Sequence, residues 1–127
     1  ANAAGYTRLY LTSDCTDPYA PKSVRASMSG IFFTKLYFGT REEIIKTLDG
    51  VQIYVADMDG ENIFSITPPK QFAIAIGNEG NGISNEIFAC ASKTIRIPMQ
   101  ETQESLNASV AAGISMYILS KTDFIEK

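Results

Sequence analysis

The chain of 127 residues contains no histidine. That absence excludes Ser-His-Asp hydrolysis, Cys-His proteolysis and any zinc or iron centre built on imidazole. Proton transfer is left to carboxylates, Lys, Arg, Tyr, substrate groups or water. Cysteine is scarce: Cys15 and Cys90 stand far apart with no Cys-x-x-Cys spacing. They read as reduced thiols of a cytoplasmic protein, with one disulfide as the alternative, and they argue against a structural zinc site or any other metal. No apolar run approaches the ~18 residues that span a bilayer, and no basic-then-apolar signal segment leads the chain, so no membrane partner is expected. A basic excess is missing too. The net charge is −3, with six basic and five acidic side chains in residues 1–50 and five and nine in residues 51–127. Phosphate neutralisation supplies most of the affinity of a nucleic-acid binder, so this chain is not one that grips RNA or DNA by charge alone.

What is present is an ordinary globular composition, 45% hydrophobic and 20% charged, with enough length for one domain over 1–127 and a real core. Strand patterns alternate with helical ones, which predicts an α/β domain with a mostly parallel sheet and helices on both faces. Strands are expected at Arg8–Thr12, Thr34–Phe38, Val51–Ala56, Phe72–Ile76 and Thr94–Ile97. Helices are expected from Lys22 to Ser29 behind Pro21, from Arg41 to Leu48 behind an N-cap at Thr40, and from Ser84 to Ala91. A last helix should run from about Glu104 to Lys121. Asp57 to Gly60 reads as a turn. The last helix carries Leu106, Val110, Ile114 and Ile118 as an apolar stripe for the core. Ala108, Ala111, Ala112, Gly113 and Ser115 beside it leave a small-residue side that a partner subunit can approach.

Chemistry concentrates in two places. Phe72-Ala-Ile-Ala-Ile76 is apolar throughout, as a strand covered on both faces should be, and runs into Gly77-Asn-Glu-Gly-Asn-Gly82. Ligands of open α/β sheets bind beyond the carboxyl ends of strands, which is where this loop falls. Its glycines suit a tight turn and a close backbone approach to a ligand equally well. The order Gly-x-x-Gly-x-Gly is not the dinucleotide fingerprint. Glu79, a carboxylate between glycines, reads either as a loop-stabilising acceptor or as a ligand contact. The second place is Ile95-Arg-Ile-Pro-Met99, where Pro98 stops a strand and leaves Ile97 and Met99 at its mouth. These two fill a core or line a flat heteroaromatic ring. Ser105 and Asn107 are expected in the first turn of the last helix, where capping is the plain role and contact with a polar ligand the sharper one.

In type, order and separation these pieces resemble the second and third motifs of the SpoU (TrmH-like) class of RNA ribose 2′-O-methyltransferases: Ile-Gly-Asn-Glu-Gly-x-Gly, then Ile-Pro-Met, then Glu104-Ser-Leu-Asn-Ala-Ser-Val-Ala111. Asp17-Pro-Tyr-Ala-Pro-Lys-Ser-Val-Arg-Ala-Ser27 resembles the stretch those enzymes carry after their first strand and helix. The resemblance implies a SPOUT-type α/β fold with a C-terminal deep trefoil knot, an exception to the unknotted rule. It implies a homodimer and S-adenosyl-L-methionine as cofactor, held by Gly77, Asn78, Gly80, Ile97, Met99 and Leu106. Glu79, Ser105 and Asn107 match the polar residues around the reacting centre, with no metal. The implied reaction is methyl transfer to a ribose 2′-hydroxyl of RNA, ribosomal before transfer RNA.

The family's first motif, an asparagine and glycine followed by an arginine that helps remove the hydroxyl proton, has no match. Ala1-Asn-Ala-Ala-Gly5 resembles the helix just after that arginine, and Arg25 matches a different position. The expectation is therefore an N-terminally truncated catalytic domain with weak or absent turnover. Two other readings stay open: a nucleotide- or phosphate-binding regulatory domain that uses the glycine loop, and a non-catalytic dimerisation module built on the Ala-rich helix. The Ser-Leu-Asn turn argues against both, since neither needs it.

Overall fold

The protein is described from a computed structural model, over residues 1–78 and 80–121. Five strands and four α-helices follow in the order β1 (Arg8–Leu11), α1 (Pro21–Ala26), β2 (Lys35–Phe38), α2 (Arg41–Thr47), β3 (Gln52–Asn62), β4 (Phe72–Ala75), α3 (Asn85–Cys90), β5 (Lys93–Arg96) and α4 (Ala108–Leu119). Every strand pairing is parallel, as the helix-strand alternation predicts. The strands do not form one sheet, however. Those described make a two-stranded sheet, β1-β2, and a three-stranded sheet in the order β4-β3-β5.

Local sequence explains most boundaries. Pro21 opens α1 in the first turn, where its missing N–H costs nothing. Thr40 and Glu43 close a full capping box on α2: Glu43 N–H donates to the Thr40 hydroxyl and Thr40 N–H donates to the Glu43 carboxylate. Asp57 to Gly60, expected as a turn, lies within the long strand β3. Ala56 and Glu61 both face Ile95, so four residues are taken up by a register shift, and Met58 N–H bonds the Asp57 carboxylate there. Gly60 is required at that kink: a Cβ would lie 2.6 Å from the Ile95 backbone.

The core belongs to the three-stranded sheet. Tyr54, Ile63, Ile66, Ile95 and Leu119 form one buried cluster, with Phe72, Ile74, Ile97 and Ile118 packed against it. β4 is half-buried rather than covered on both faces, and among the described strands it lies at the edge of its sheet. α4 also differs from expectation. It begins at Ala108, not near Glu104, and the residues it buries are Ser115 and Leu119. Val110, part of the expected core stripe, is 49% exposed. The small-residue side of the helix thus faces inward, where Ala111 and Ser115 allow close packing. Tyr6 ties the front of the chain to this helix: its hydroxyl donates to the Met116 carbonyl at 3.2 Å and accepts from Ser120 at 3.0 Å. No helix among the described residues is long and apolar enough to cross a membrane.

Candidate cofactor and catalytic site

Parallel pairing puts the carboxyl ends of β4 and β5 at the same end of one sheet. Val55 faces Ala75 on one side and Thr94 on the other. Gly77 is two residues beyond Ala75 and Ile97 is three beyond Thr94, so the glycine loop and the Ile97-Pro-Met99 segment leave the sheet at about the same height. They are not on neighbouring strands. β3 lies between, which separates them by roughly 9.5 Å, two strand spacings.

The glycine loop closes on itself. Asn78 and Gly82 form an antiparallel bridge, Gly82 N–H donating to Asn78 O at 2.8 Å and Asn78 N–H to Gly82 O at 3.2 Å. The Asn78 side-chain oxygen accepts from Gly80 N–H at 2.7 Å inside the turn. At Gly77 a Cβ would sit 2.6 Å from the Gly82 carbonyl carbon, so this glycine is needed for the chain to return past itself. The tight-turn reading is realised here, and Asn78 acts on the loop first. Glu79 lies outside the described residues. Immediately after the loop, the Ser84 hydroxyl before α3 is buried and finds no hydrogen-bond partner among the described residues. The Ser115 hydroxyl inside α4 is in the same state, so Ser84 is one of two such buried groups among the described residues.

The other arm is organised by turns. Ile97 packs against the core cluster, so its backbone rather than its side chain is what it offers to a ligand. Met99 is half-buried beyond it. Gln103 N–H closes a turn onto the Gln100 carbonyl, and the Gln103 side chain donates to the Ser105 carbonyl at 2.7 Å. That bond holds residues 104–106 out of the helix. Ser105 is therefore exposed in the lead-in and not in the first helical turn, with the half-buried Leu106 beside it. Asn107 is the N-cap, its side-chain oxygen accepting from Ser109 N–H at 2.9 Å, Val110 N–H at 3.4 Å and the Ser109 hydroxyl at 2.6 Å. Capping, the plainer of its two roles, is present in the structure.

Sequence reasoning missed Gln103, which fixes the Ser105 carbonyl. The available signal was a long amide two residues before Ser105, in the stretch between the Pro98 strand stop and the expected helix. Among the described residues, no group of three or more His, Cys, Asp or Glu gathers to hold a metal ion.

The model of the SpoU rRNA methylase family matches residues 1–117. The chain belongs to that family. It is 28% identical over 122 residues to the 23S rRNA (guanosine(2553)-2′-O)-methyltransferase RlmP of Bacillus subtilis, covering 94% of this chain and 49% of that protein. It is 40% identical over 70 residues to the tRNA (guanosine(18)-2′-O)-methyltransferase of Aquifex aeolicus, covering 54% of this chain and 33% of that one. Among solved structures, the SpoU methyltransferase AviRb from Streptomyces viridochromogenes in complex with AdoMet superposes with a TM-score of 0.88 at 26% identity, covering 97% of this chain and 52% of that chain. The chain spans about half the length of the curated relatives it matches.

Proposed function

We propose that this chain is the cofactor-binding part of an S-adenosyl-L-methionine-dependent RNA ribose 2′-O-methyltransferase. One observation supports the reading above the others: the glycine hairpin after β4 and the Ile97–Asn107 segment after β5 leave one parallel sheet at the same end. In this reading the cofactor is held by loop backbone at Gly77, Asn78 and Gly80, by backbone groups of Ile97 and Leu106, and by the Met99 side chain. The residues present fit such a group: the Ser84 hydroxyl beside the loop lacks a partner among the described residues, and Met99 offers apolar surface at the strand mouth. The bound cofactor supplies an electrophilic methyl group on a sulfonium.

The chain's own residues then align and shield. Asn107 caps α4 just after Ser105, Gln103 fixes the Ser105 carbonyl, and the exposed Ser105 hydroxyl and Glu79 are the polar groups offered to the ribose. Alignment of this kind is where most of the rate of a methyl transfer is gained. The same reading includes threading of the C-terminal segment as a trefoil knot. It also includes a homodimer, for which Val110 and Tyr117, each about half exposed on α4, offer surface. Ribosomal RNA is the first substrate to try, because RlmP aligns over 94% of this chain and the transfer-RNA relative over 54%. The first-motif arginine has no counterpart in residues 1–127, so turnover by this chain alone is expected to be weak or absent.

Calorimetric titration with S-adenosylhomocysteine, with ATP and NAD as controls, tests the reading. One selective site per chain is expected. Binding of ATP or NAD in preference would overturn it in favour of a nucleotide-binding regulatory domain.

A further inference from the structure

A second recess lies at the carboxyl ends of β1 and β2, on the other sheet. It has a volume of about 190 Å³ and is lined by Leu11, Thr12, Cys15, Asp17, Pro18 and Phe38, among others. That is below the ~300–1,000 Å³ that encloses a drug-sized ligand, so it takes a single ring system rather than a whole nucleotide. Its walls are held before any ligand arrives. Arg41 at the start of α2 pairs with Asp14 at 2.6 Å, and Asp14 also bonds the Thr12 hydroxyl. Cys15 N–H donates to the Thr12 carbonyl at 3.1 Å, and Asp17 accepts from Tyr19 N–H at 2.9 Å. Phe38 is the aromatic residue of the recess lining and is 60% exposed; Tyr19, outside the lining, holds its ring 6.4 Å away and tilted by 36°.

We propose that this recess is a base-recognition subsite for an unstacked guanine of the RNA, an inference that rests on the RNA methyltransferase reading. Single-stranded RNA is read by stacking splayed bases on aromatic side chains and bonding their edges, and the exposed Phe38 ring in the lining offers such a face. Asp17 at the rim is a carboxylate acceptor, which matches the adjacent N1–H and N2–H donors of guanine and repels the acceptor edge of uracil. The recess and the glycine loop both open at carboxyl ends of parallel strands, and the helices that follow them, α2 and α3, pack against each other. The α2–α3 contact thus links the element after the recess to the element after the cofactor loop.

Cys15 lines the recess and is exposed, while Cys90 is half-buried in α3 and serves as an internal control. The experiment is alkylation of the chain by iodoacetamide, read by mass spectrometry, with guanosine or uridine present and with and without S-adenosylhomocysteine. Guanosine is expected to slow reaction at Cys15 but not at Cys90, at concentrations about fivefold or more below those uridine requires, the low end of what a two-bond base contact discriminates. Asp17→Asn should remove that preference, and Phe38→Ala should weaken protection by both nucleosides. Protection equal for the two nucleosides, absent with both, or abolished by S-adenosylhomocysteine would overturn the subsite. Because cofactor binding is measured separately, failure here leaves the methyltransferase reading intact.

Discussion

The two sheets are built from the same kind of parallel pairing and end up in different physical states. In β4-β3-β5, the central strand buries Ile53, Tyr54 and Val55, and Ile95 of β5 is 1% exposed. In β1-β2, no strand residue is buried, and Leu9, Tyr37 and Phe38 are open to solvent along with Phe32 and Phe33 just before β2. Parallel sheets are ordinarily covered on both faces, and two-stranded ones are marginal alone. The difference teaches that strand pattern and strand coverage are separate properties. Apolar runs, Leu9-Tyr10-Leu11 and Leu36-Tyr37-Phe38, bring β1 and β2 together, with Tyr10 stacked on Tyr37 at 5.0 Å, but the buried cluster, closed by Leu119 of α4, lies on the three-stranded sheet.

The sharpest way to break this contrast is to remove one leucine from the core that α4 closes over the three-stranded sheet and one from the two-stranded sheet itself. Leu119→Ala empties part of the closed core and is expected to cost about 2–5 kcal/mol in urea unfolding. Leu9→Ala, at 38% exposure, should cost less than about 1 kcal/mol. Equal losses would mean that β1-β2 is packed as firmly as its counterpart. A smaller effect tests what anchors the closing helix. Asn107→Ala removes the cap of α4 and should cost about 1 kcal/mol, seen as faster amide exchange at Ser109 and Val110. Unchanged exchange there would remove the cap from the account.

The smallest effect lies on the open sheet. Bonds from Thr12 and then Arg41 hold the Asp14 carboxyl below its ordinary value of 3.8. A depressed folded-state pKa contributes stability that is present above 3.8 and is lost as pH falls through the lower, folded value. The loop after β1 should accordingly keep its structure to about pH 4 and loosen only below it, followed by the amide signal of Cys15. Because this pair is exposed, Arg41→Gln should alter that acid profile far more than it alters stability at neutral pH.

Much of this was legible beforehand. Thr40 with Glu43 and the apolar run from Phe72 each carry a local rule that tertiary contacts did not override, so α2 and β4 fall within a residue of expectation, while α1 starts at Pro21 as its proline dictates but ends at Ala26, three residues before Ser29. Three readings failed for one reason: they needed information from distant residues. The Asp57–Gly60 segment became strand because Ile95 offers it a backbone to pair with. α4 starts late because Gln103 holds the Ser105 carbonyl outside the helix. The inward face of that helix combines the small Ser115 with Leu119 and Ile118, while Val110 of the expected stripe is left outside. At the site, the residue types were readable, while their division of labour was not; Asn78 and Asn107 spend their side-chain oxygens on building the turns that present their neighbours.

The bond network of Tyr6 with Met116 and Ser120 joins positions 110 and 114 residues apart. On a ribosome, that contact is available only after nearly the whole of this chain has emerged. Pairings with such wide sequence separation are slow, because the intervening chain must be ordered before they reward it. The locking of α4 against the front of the chain is therefore the step that finishes this region's folding. Until α4 docks, the apolar residues it covers in the core cluster are exposed, and that interval is when unfinished chains are open to association.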